Sequence, residues 1–217
     1  MNSATGARHR MWLEEWFNTL SHGLGAIAAV VGTIFLVIYG MASPKDWALM
    51  SGAIFGLSLI AVYFSSSIYH SVLGDMILKR KLGIIDHSCI FLLIAGTHTP
   101  ILLLGVGGAE GWYYFWLEWI VAAVGILIKV FYKDEFDKYS LILYLLLGFV
   151  GGLHTEALRA TMGDTGFNLI AWGGASYIFG VVFFVIDKKV PFAHFIWHLF
   201  VIGGSVLHYF AVLWYLL

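Results

Sequence analysis

Long apolar stretches separated by short polar segments make up most of this sequence. Seven of them approach the roughly 20 mostly apolar residues that an α-helix needs to cross the hydrocarbon core of a bilayer. The pattern therefore predicts an all-α, polytopic membrane protein built as a bundle of seven transmembrane helices. The predicted spans are residues 23–41, 47–71, 82–104, 112–132, 139–159, 166–186 and 192–216.

The segment before the first span is more polar than the rest of the chain. We therefore divide the sequence into a cytoplasmic N-terminal amphipathic lead-in, residues 1–22, and a seven-helix transmembrane domain, residues 23–217. Within the lead-in, Glu14, Asn18 and His22 recur every fourth residue, which places them on one face of a helix. Two interpretations stay open: a helix lying on the membrane surface, or a set of polar side chains supporting a site on the same side of the membrane.

The composition agrees with a membrane protein and excludes several other classes. Hydrophobic residues make up 60% of the chain and charged residues 12%, whereas soluble domains average about 25% charged residues. A disulfide within the chain is excluded because Cys89 is the single cysteine. The net charge of −1 is not that of a strongly basic protein, so we expect no nucleic-acid partner.

The positive charges predict the orientation, since Lys and Arg concentrate in cytoplasmic loops. Ten of the 12 basic residues fall on one side of the predicted bundle, and only Lys45 and Arg159 fall on the other. We therefore expect a cytoplasmic N-terminus and an external C-terminus. The ten are Arg8, Arg10, Lys79, Arg80, Lys81, Lys129, Lys133, Lys138, Lys188 and Lys189.

This orientation gives each polar residue within a span an approximate depth. His70 lies near the cytoplasmic end of the second span, and Asp86 lies about one turn inside the third. His194 and His198, at the start of the seventh span, are at the same level. A carboxylate within a span costs free energy that a nearby cation offsets, so we interpret the four as one site.

The spacing of these residues favours a metal. His194 and His198 are four residues apart and share one helix face. Together with His70 they supply three imidazoles and leave a fourth position open, the arrangement typical of catalytic Zn²⁺. Asp86 is either a direct ligand or the group that holds a metal-bound water, and Ser66, one turn from His70, could orient a ligand or that water.

A second group of histidines falls in the outer half of the predicted bundle. His208 is ten residues beyond His198, which is about 15 Å along a helix, so it cannot join the same site. His98 and His154 have the same predicted depth, but no pair among the three has ligand spacing on one helix. An outer cluster of these three histidines, with Glu118 or Glu156 nearby, is one interpretation, but we favour hydrogen-bonded structural roles. We expect Glu118 to reach water at the membrane interface.

Four motifs resemble the progestin and adipoQ receptor family, specifically its bacterial hemolysin III-like branch. They are "EEWFNTLSH" at 14–22, "SSSIYH" ending at His70, "DHSCIFLLIAGTHTP" at 86–100 and "HFIWH" at 194–198. They occur in order from near the start of the chain to its last span. His98 departs from the family pattern, in which an aromatic residue such as Tyr is expected.

The resemblance implies more than the spacing does. Members of this family are seven-helix proteins that bind zinc near the cytoplasmic side through three histidines, with an aspartate that positions a water. Carried over to this sequence, the ligands are His70, His194 and His198, the aspartate is Asp86, and Ser66 is its neighbour. The adiponectin receptors and the related alkaline ceramidases are linked to hydrolysis of amide-linked lipids.

Three functions are compatible with these observations. The first is a zinc-dependent amidohydrolase of ceramide-like lipids in the bacterial inner membrane, with an acyl-amide or a free fatty acid as its lipid partner. The second is a non-enzymatic regulator of membrane fluidity or energetics, in which zinc is structural or sensory. A cytolysin or pore ranks last, because the sequence has no amphipathic pore-lining segment.

Overall fold

Helices account for nearly all of the regular structure of the protein. The computed structural model describes residues 3–217, apart from the side chains of residues 3–5, 7–8, 133–135 and 137–138, and no strand occurs in that range. The all-α class predicted from the sequence is therefore confirmed. The α-helices are α1 (Ser3–Ala42), α2 (Ala48–Ser71), α3 (Met76–Pro100), α4 (Gly108–Phe131), α5 (Lys133–Gly148), α6 (Thr155–Ile186) and α7 (Ala193–Ala211).

Three short helical turns complete the chain path. Two π-helical turns, Ile101–Val106 and Val212–Leu216, continue α3 and α7, and a 3-10 turn, Val150–His154, connects α5 to α6. Within the described residues, six segments are long and apolar enough to cross a membrane, and they identify a multi-pass integral membrane protein. These segments are His9–Ala42, Ala48–Ser71, Met76–Val106, Gly108–Phe131, Tyr139–Ile186 and Ala193–Leu216.

The segment Tyr139–Ile186 contains both the fifth and the sixth predicted spans. A straight helix of its 48 residues would be about 72 Å long, more than twice the thickness of the hydrocarbon core. The segment is not straight, because the 3-10 turn interrupts it and because Gly163, with φ 67° and ψ 176°, breaks the helical backbone of α6. Glycine adopts this positive φ without the steric cost that a Cβ would impose.

The predicted lead-in and the first predicted span form one continuous helix. α1 runs from Ser3 to Ala42 without a break at residue 22, while residues 1 and 2 lie outside the described part of the chain. Three of the charges behind the predicted orientation, Arg8, Lys133 and Lys138, have side chains that also lie outside it. The division into a lead-in and a transmembrane domain stays a prediction.

α1 packs against both α2 and α7, and α2 also packs against α3. The most extensive contacts are those of α1 with α2, α2 with α3 and α6 with α7, and α1 also contacts α7. Small residues allow this close approach, as is common between membrane helices. The pairs in contact include Gly56 with Thr33, Gly96 with Ser58 and Gly204 with Gly173.

Many large apolar side chains lie on the outside of the bundle. On α1 these include Ile27, Ile34 and Ile38, each more than half exposed, and on α4 Ile120 and Leu127. Such a surface is too extensive for a soluble monomer. In a bilayer it contacts lipid tails, which agrees with the membrane location.

Candidate metal centre

Two helices bring three histidines together. His70 comes from the last turn of α2, and His194 and His198 come from the first turns of α7. One ring nitrogen from each lies within 4.8 Å of the other two. His70 and His198 are buried, while His194 is partly exposed. We call these three residues the histidine cluster.

The orientation of His70 is set by two charged residues. Its Nδ1 lies 2.7 Å from Oε2 of Glu15 on α1, and Oε1 of Glu15 accepts a hydrogen bond from Lys79 Nζ at 2.8 Å. Because an ionised carboxylate only accepts, Nδ1 carries the proton and Nε2 keeps its lone pair. This carboxylate–histidine arrangement is the one that commonly orients metal-binding histidines.

The other two histidines are held in the same way. His194 Nδ1 lies 2.9 Å from Oδ2 of Asp187, in the segment before α7. His198 Nδ1 lies 3.1 Å from Ser21 Oγ, and that hydroxyl donates to the carbonyl of Asn18. The serine therefore accepts from Nδ1, so Nε2 of both histidines also remains available as a ligand.

These residues fit a Zn²⁺ ion. The Nε2 atom of His70 is buried and has no hydrogen-bond partner among the described residues, which is costly unless a ligand or ion satisfies it. Three neutral imidazoles with an open fourth position form the donor set of catalytic zinc. Elsewhere in the described chain, no other group of three or more His, Cys, Asp or Glu residues has this geometry.

Asp86 and Ser66 lie next to the histidine cluster. Asp86, on α3, is buried, and its carboxylate interacts with the side chain of Ser66 on α2. No oxygen of Asp86 belongs to the group of ligand atoms within 4.8 Å of one another. The structure thus places Asp86 beside the three nitrogens rather than among them.

The three lead-in residues take different positions. His22 stacks on His198, with ring centroids 3.6 Å apart and an interplanar angle of 9°, and Asn18 is buried beside it through the contact with Ser21. Glu14 lies farther away, and its Oε1 accepts a hydrogen bond from the backbone N–H of Phe192 at 3.3 Å, just before α7.

A cavity of about 440 Å³ begins at His194 and His198 of the histidine cluster and is partly open at exposed residues such as Phe149. His194, His198, Asp86, Ser66 and His22 all contribute to its wall at this end. Most of the remaining wall is apolar. The cavity has the size of a small-molecule site.

Three residues that orient the candidate ligands were not predicted from the sequence. Glu15, Ser21 and Asp187 each contact the Nδ1 of one histidine. Glu15 and Ser21 directly adjoin Glu14 and His22 within one motif. Their position beside two candidate residues was the sequence signal that could have identified them. Asp187 lies seven residues before His194, and nothing in its spacing singles it out.

The structure corrects the expectation for Glu118. This residue does not reach water: it is 1% exposed, and its Oε1 lies 2.6 Å from Nδ1 of His98. The other outer histidines also have partners. His208 Nε2 lies 2.9 Å from the carbonyl oxygen of Ile170, and His154 Nδ1 lies 3.3 Å from Glu110 Oε1.

Comparisons with known proteins find relatives over nearly the whole length of this chain. Residues 10–209 match the family described as "Haemolysin-III related". The chain is 39% identical over 202 residues to the "Hemolysin-3 homolog" of Bacillus subtilis, covering 93% of this chain and 94% of that protein. It is 37% identical over 204 residues to the "Hemolysin-3" of Bacillus cereus, covering 94% and 92%.

A human protein is related over nearly the same range. The "Monocyte to macrophage differentiation factor" of Homo sapiens is 32% identical over 207 residues, covering 94% of this chain and 84% of that protein. The resemblance carried by the four sequence motifs is therefore confirmed, and this chain belongs to the haemolysin III-related branch of the progestin and adipoQ receptor family.

Proposed function

We propose that this protein is an intramembrane, zinc-dependent hydrolase of amide-linked lipids that contributes to membrane homeostasis. The observation that carries the proposal is the geometry of the histidine cluster. One ring nitrogen of each histidine lies within 4.8 Å of the other two, and because each Nδ1 is held by another residue, Nε2 is the nitrogen left to bind an ion. Two of the three histidines line one end of a mostly apolar cavity. A carboxylate, Asp86, lines the same end of the cavity.

The residues have distinct roles in this proposal. His70, His194 and His198 hold the ion, and a bound Zn²⁺ supplies Lewis acidity that polarises a carbonyl and activates a water. Asp86 acts as the general base that accepts the proton from the attacking water, a role for which its burial beside the cluster is suited. Ser66 donates a hydrogen bond that orients Asp86 or the water.

A lipid substrate agrees with the location of the site. The cavity has mostly apolar walls, so an acyl chain can occupy it while the amide carbonyl lies at the histidine cluster. Cleavage of the amide would leave a free fatty acid in the cavity and release an amine. The lipid is thus an acyl-amide before the reaction and a fatty acid after it.

We also propose the complete topology: seven spans in the bacterial inner membrane, a cytoplasmic N-terminus and an external C-terminus. It is supported by the break of the backbone within Tyr139–Ile186 and by the distribution of Lys and Arg. Reporter fusions after Leu217 should be external, and fusions at residues 133–138 should be cytoplasmic. A cytoplasmic reporter after Leu217 would contradict the topology.

A second candidate is a non-enzymatic regulator of membrane fluidity or energetics with a structural or sensory zinc. One observation favours it: the histidine cluster joins the end of α2 to the start of α7, so an ion there would cross-link two helices. A pore or cytolysin stays the weakest candidate, although relatives carry the name hemolysin.

The variant Asp86→Asn separates the hydrolase from the regulator. The amide cannot accept the proton, and loss of a general base typically lowers turnover by about 10²–10⁴-fold. Because Asp86 is not among the three nitrogens, purified Asp86→Asn protein should keep its zinc. The assay is release of fatty acid from a panel of acyl-amide lipids, with metal content measured in parallel and the exposed-loop variant Asp46→Asn as control.

Three outcomes would contradict the proposal. Full restoration of membrane physiology by zinc-loaded Asp86→Asn protein in a deletion strain would contradict hydrolysis as the biological role. Loss of zinc in this variant would make Asp86 a fourth ligand and close the site. Absence of fatty-acid release by the zinc-loaded wild-type protein from every lipid tested would contradict hydrolysis of these amides.

A further inference from the structure

The cavity has a second polar end, opposite the histidine cluster. On α3, His98 lies 12 residues after Asp86, and on α7, His208 lies ten residues after His198; these separations correspond to about 18 Å and 15 Å along a helix. Both distant histidines line the same cavity as the histidine cluster. Apolar residues such as Val201 separate the two ends.

His98 presents a hydrogen-bond donor at this end. Its Nδ1 is bonded to Glu118, and both side chains are buried, 7% and 1% exposed. A net charge buried this deeply is costly, so the pair is neutral overall. Because Glu118 Oε2 is buried without a partner among the described residues, a proton there would be left unsatisfied, and the acid proton is the one shared between Oε1 and Nδ1. Nε2 of His98 then carries the other ring proton. That atom faces Gly151, which also lines the cavity and has no side chain to fill the space.

His208 presents a hydrogen-bond acceptor. Its Nε2 lies 2.9 Å from the carbonyl oxygen of Ile170, and because a carbonyl only accepts, Nε2 carries the proton. In the neutral ring, Nδ1 therefore keeps a lone pair. This Nδ1 is buried and has no hydrogen-bond partner in the part of the chain that the structure describes. His208 as a whole is 5% exposed.

We propose that His98 and His208 form a binding site for the hydroxyl group of a long-chain lipid. A hydroxyl group is uncharged and both accepts and donates through a single oxygen atom, which matches one donor and one acceptor. A carboxylate or an ammonium group would bring a charge that the neutral His98–Glu118 pair does not compensate. Which lipid is cleaved rests on the proposed function, but binding of the hydroxyl group does not.

Competition between two matched lipids tests the site. The purified protein is labelled with a diazirine derivative of hexadecan-1-ol, and cross-linked cavity peptides are quantified by mass spectrometry. The competitors are hexadecan-1-ol and its methyl ether, which has nearly the same length but cannot donate to His208. The alcohol should compete about tenfold more effectively, the factor expected when a buried acceptor loses its hydrogen bond. Equal competition by the two would overturn the proposal.

Variants assign this preference to the two histidines. In His208→Phe the alcohol and the methyl ether should compete about equally, to within roughly twofold. The double variant His98→Phe/Glu118→Leu should also lose the preference for the alcohol. Both members of the pair are replaced together because apolar replacement of a whole buried pair is often neutral for stability, so this variant should fold. Retention of the tenfold preference in both folded variants would overturn the proposal. His154→Phe is the control, since His154 is a buried outer histidine whose side chain is not part of the cavity wall.

The variant His198→Ala distinguishes this site from the proposed function. It should lose zinc and all amide hydrolysis but keep the preference for the alcohol over the ether, since the alcohol binds at the opposite end of the cavity. Loss of the preference in His198→Ala would mean that the alcohol binds at the histidine cluster, which overturns the hydroxyl site. If the zinc-loaded wild-type protein prefers the alcohol but hydrolyses no amide, the hydroxyl site is supported and only the proposed hydrolase function is contradicted.

Discussion

Glu15 provides a sharp test of how the metal ligands are held. Its carboxylate accepts the Nδ1 proton of His70 at 2.7 Å, with side chains that are 5% exposed for the histidine and 20% for the glutamate. A hydrogen bond to a charged group contributes about 1.5–3 kcal/mol. Gln at this position keeps an acceptor but loses the charge, so Glu15→Gln should weaken zinc binding by about 10–100-fold, the range found for partners of metal-binding histidines.

The neighbouring glutamate is the matched control. Glu14 accepts a 3.3 Å hydrogen bond from the backbone of Phe192 and does not contact a ring of the histidine cluster, so Glu14→Gln should bind zinc within about threefold of wild type, the usual context scatter for a weak, partly exposed bond. Zinc affinity is measured by competition with a chelator on the purified protein, and thermal unfolding of the metal-free forms checks that both variants fold. Wild-type affinity in Glu15→Gln, or a larger loss in Glu14→Gln, would refute the assignment of Glu15 to His70.

Three further predictions follow from contacts elsewhere in the bundle. His198→Ala should remove zinc from the purified protein, while His208→Ala should keep it. The reverse result would place the metal at the end of the cavity lined by His208 and would contradict the histidine cluster as the metal site. Lys79→Met should weaken zinc binding by at most about fivefold, because a partly exposed ion pair contributes only about 0.2–1 kcal/mol. Gly173→Ala should lower the free energy of unfolding by about 1–3 kcal/mol through overpacking, since its Cβ would overlap the His208 ring, whereas Gly174→Ala meets no atom within 4 Å and should be nearly neutral in thermal unfolding.

Much of the candidate site could be predicted from the sequence because its elements are local. The pairing of His194 with His198 follows from helix periodicity, and membership of the family follows from motifs that the comparisons confirm. Zinc binding and hydrolysis stay predictions, since the structure shows three histidines that could hold an ion. The six apolar segments confirm the membrane class, and the count of seven spans stays a proposal.

The residues that hold the ligands could not be predicted, because their contacts depend on how helices rotate against one another. Helix spacing placed Glu14 with Asn18 and His22, but packing of α1 against α2 directs Glu15 towards His70, 55 positions away in the chain. Glu118 was misplaced for a related reason. An aromatic-rich helix end is typical of the membrane interface, yet the carboxylate turns inward because His98 on α3 offers a partner.

Hydropathy, periodicity and charge are properties of short segments, so the sequence by itself determined the all-α membrane class, the apolar segments and the candidate ligands. The tertiary structure decided which nitrogen of each histidine is available, through Glu15, Asp187 and Ser21. It also decided that one cavity joins the histidine cluster to a second polar end. The physical reason is that a hydrogen bond requires two groups to meet within about 3 Å, and only packing of distant helices determines which groups do.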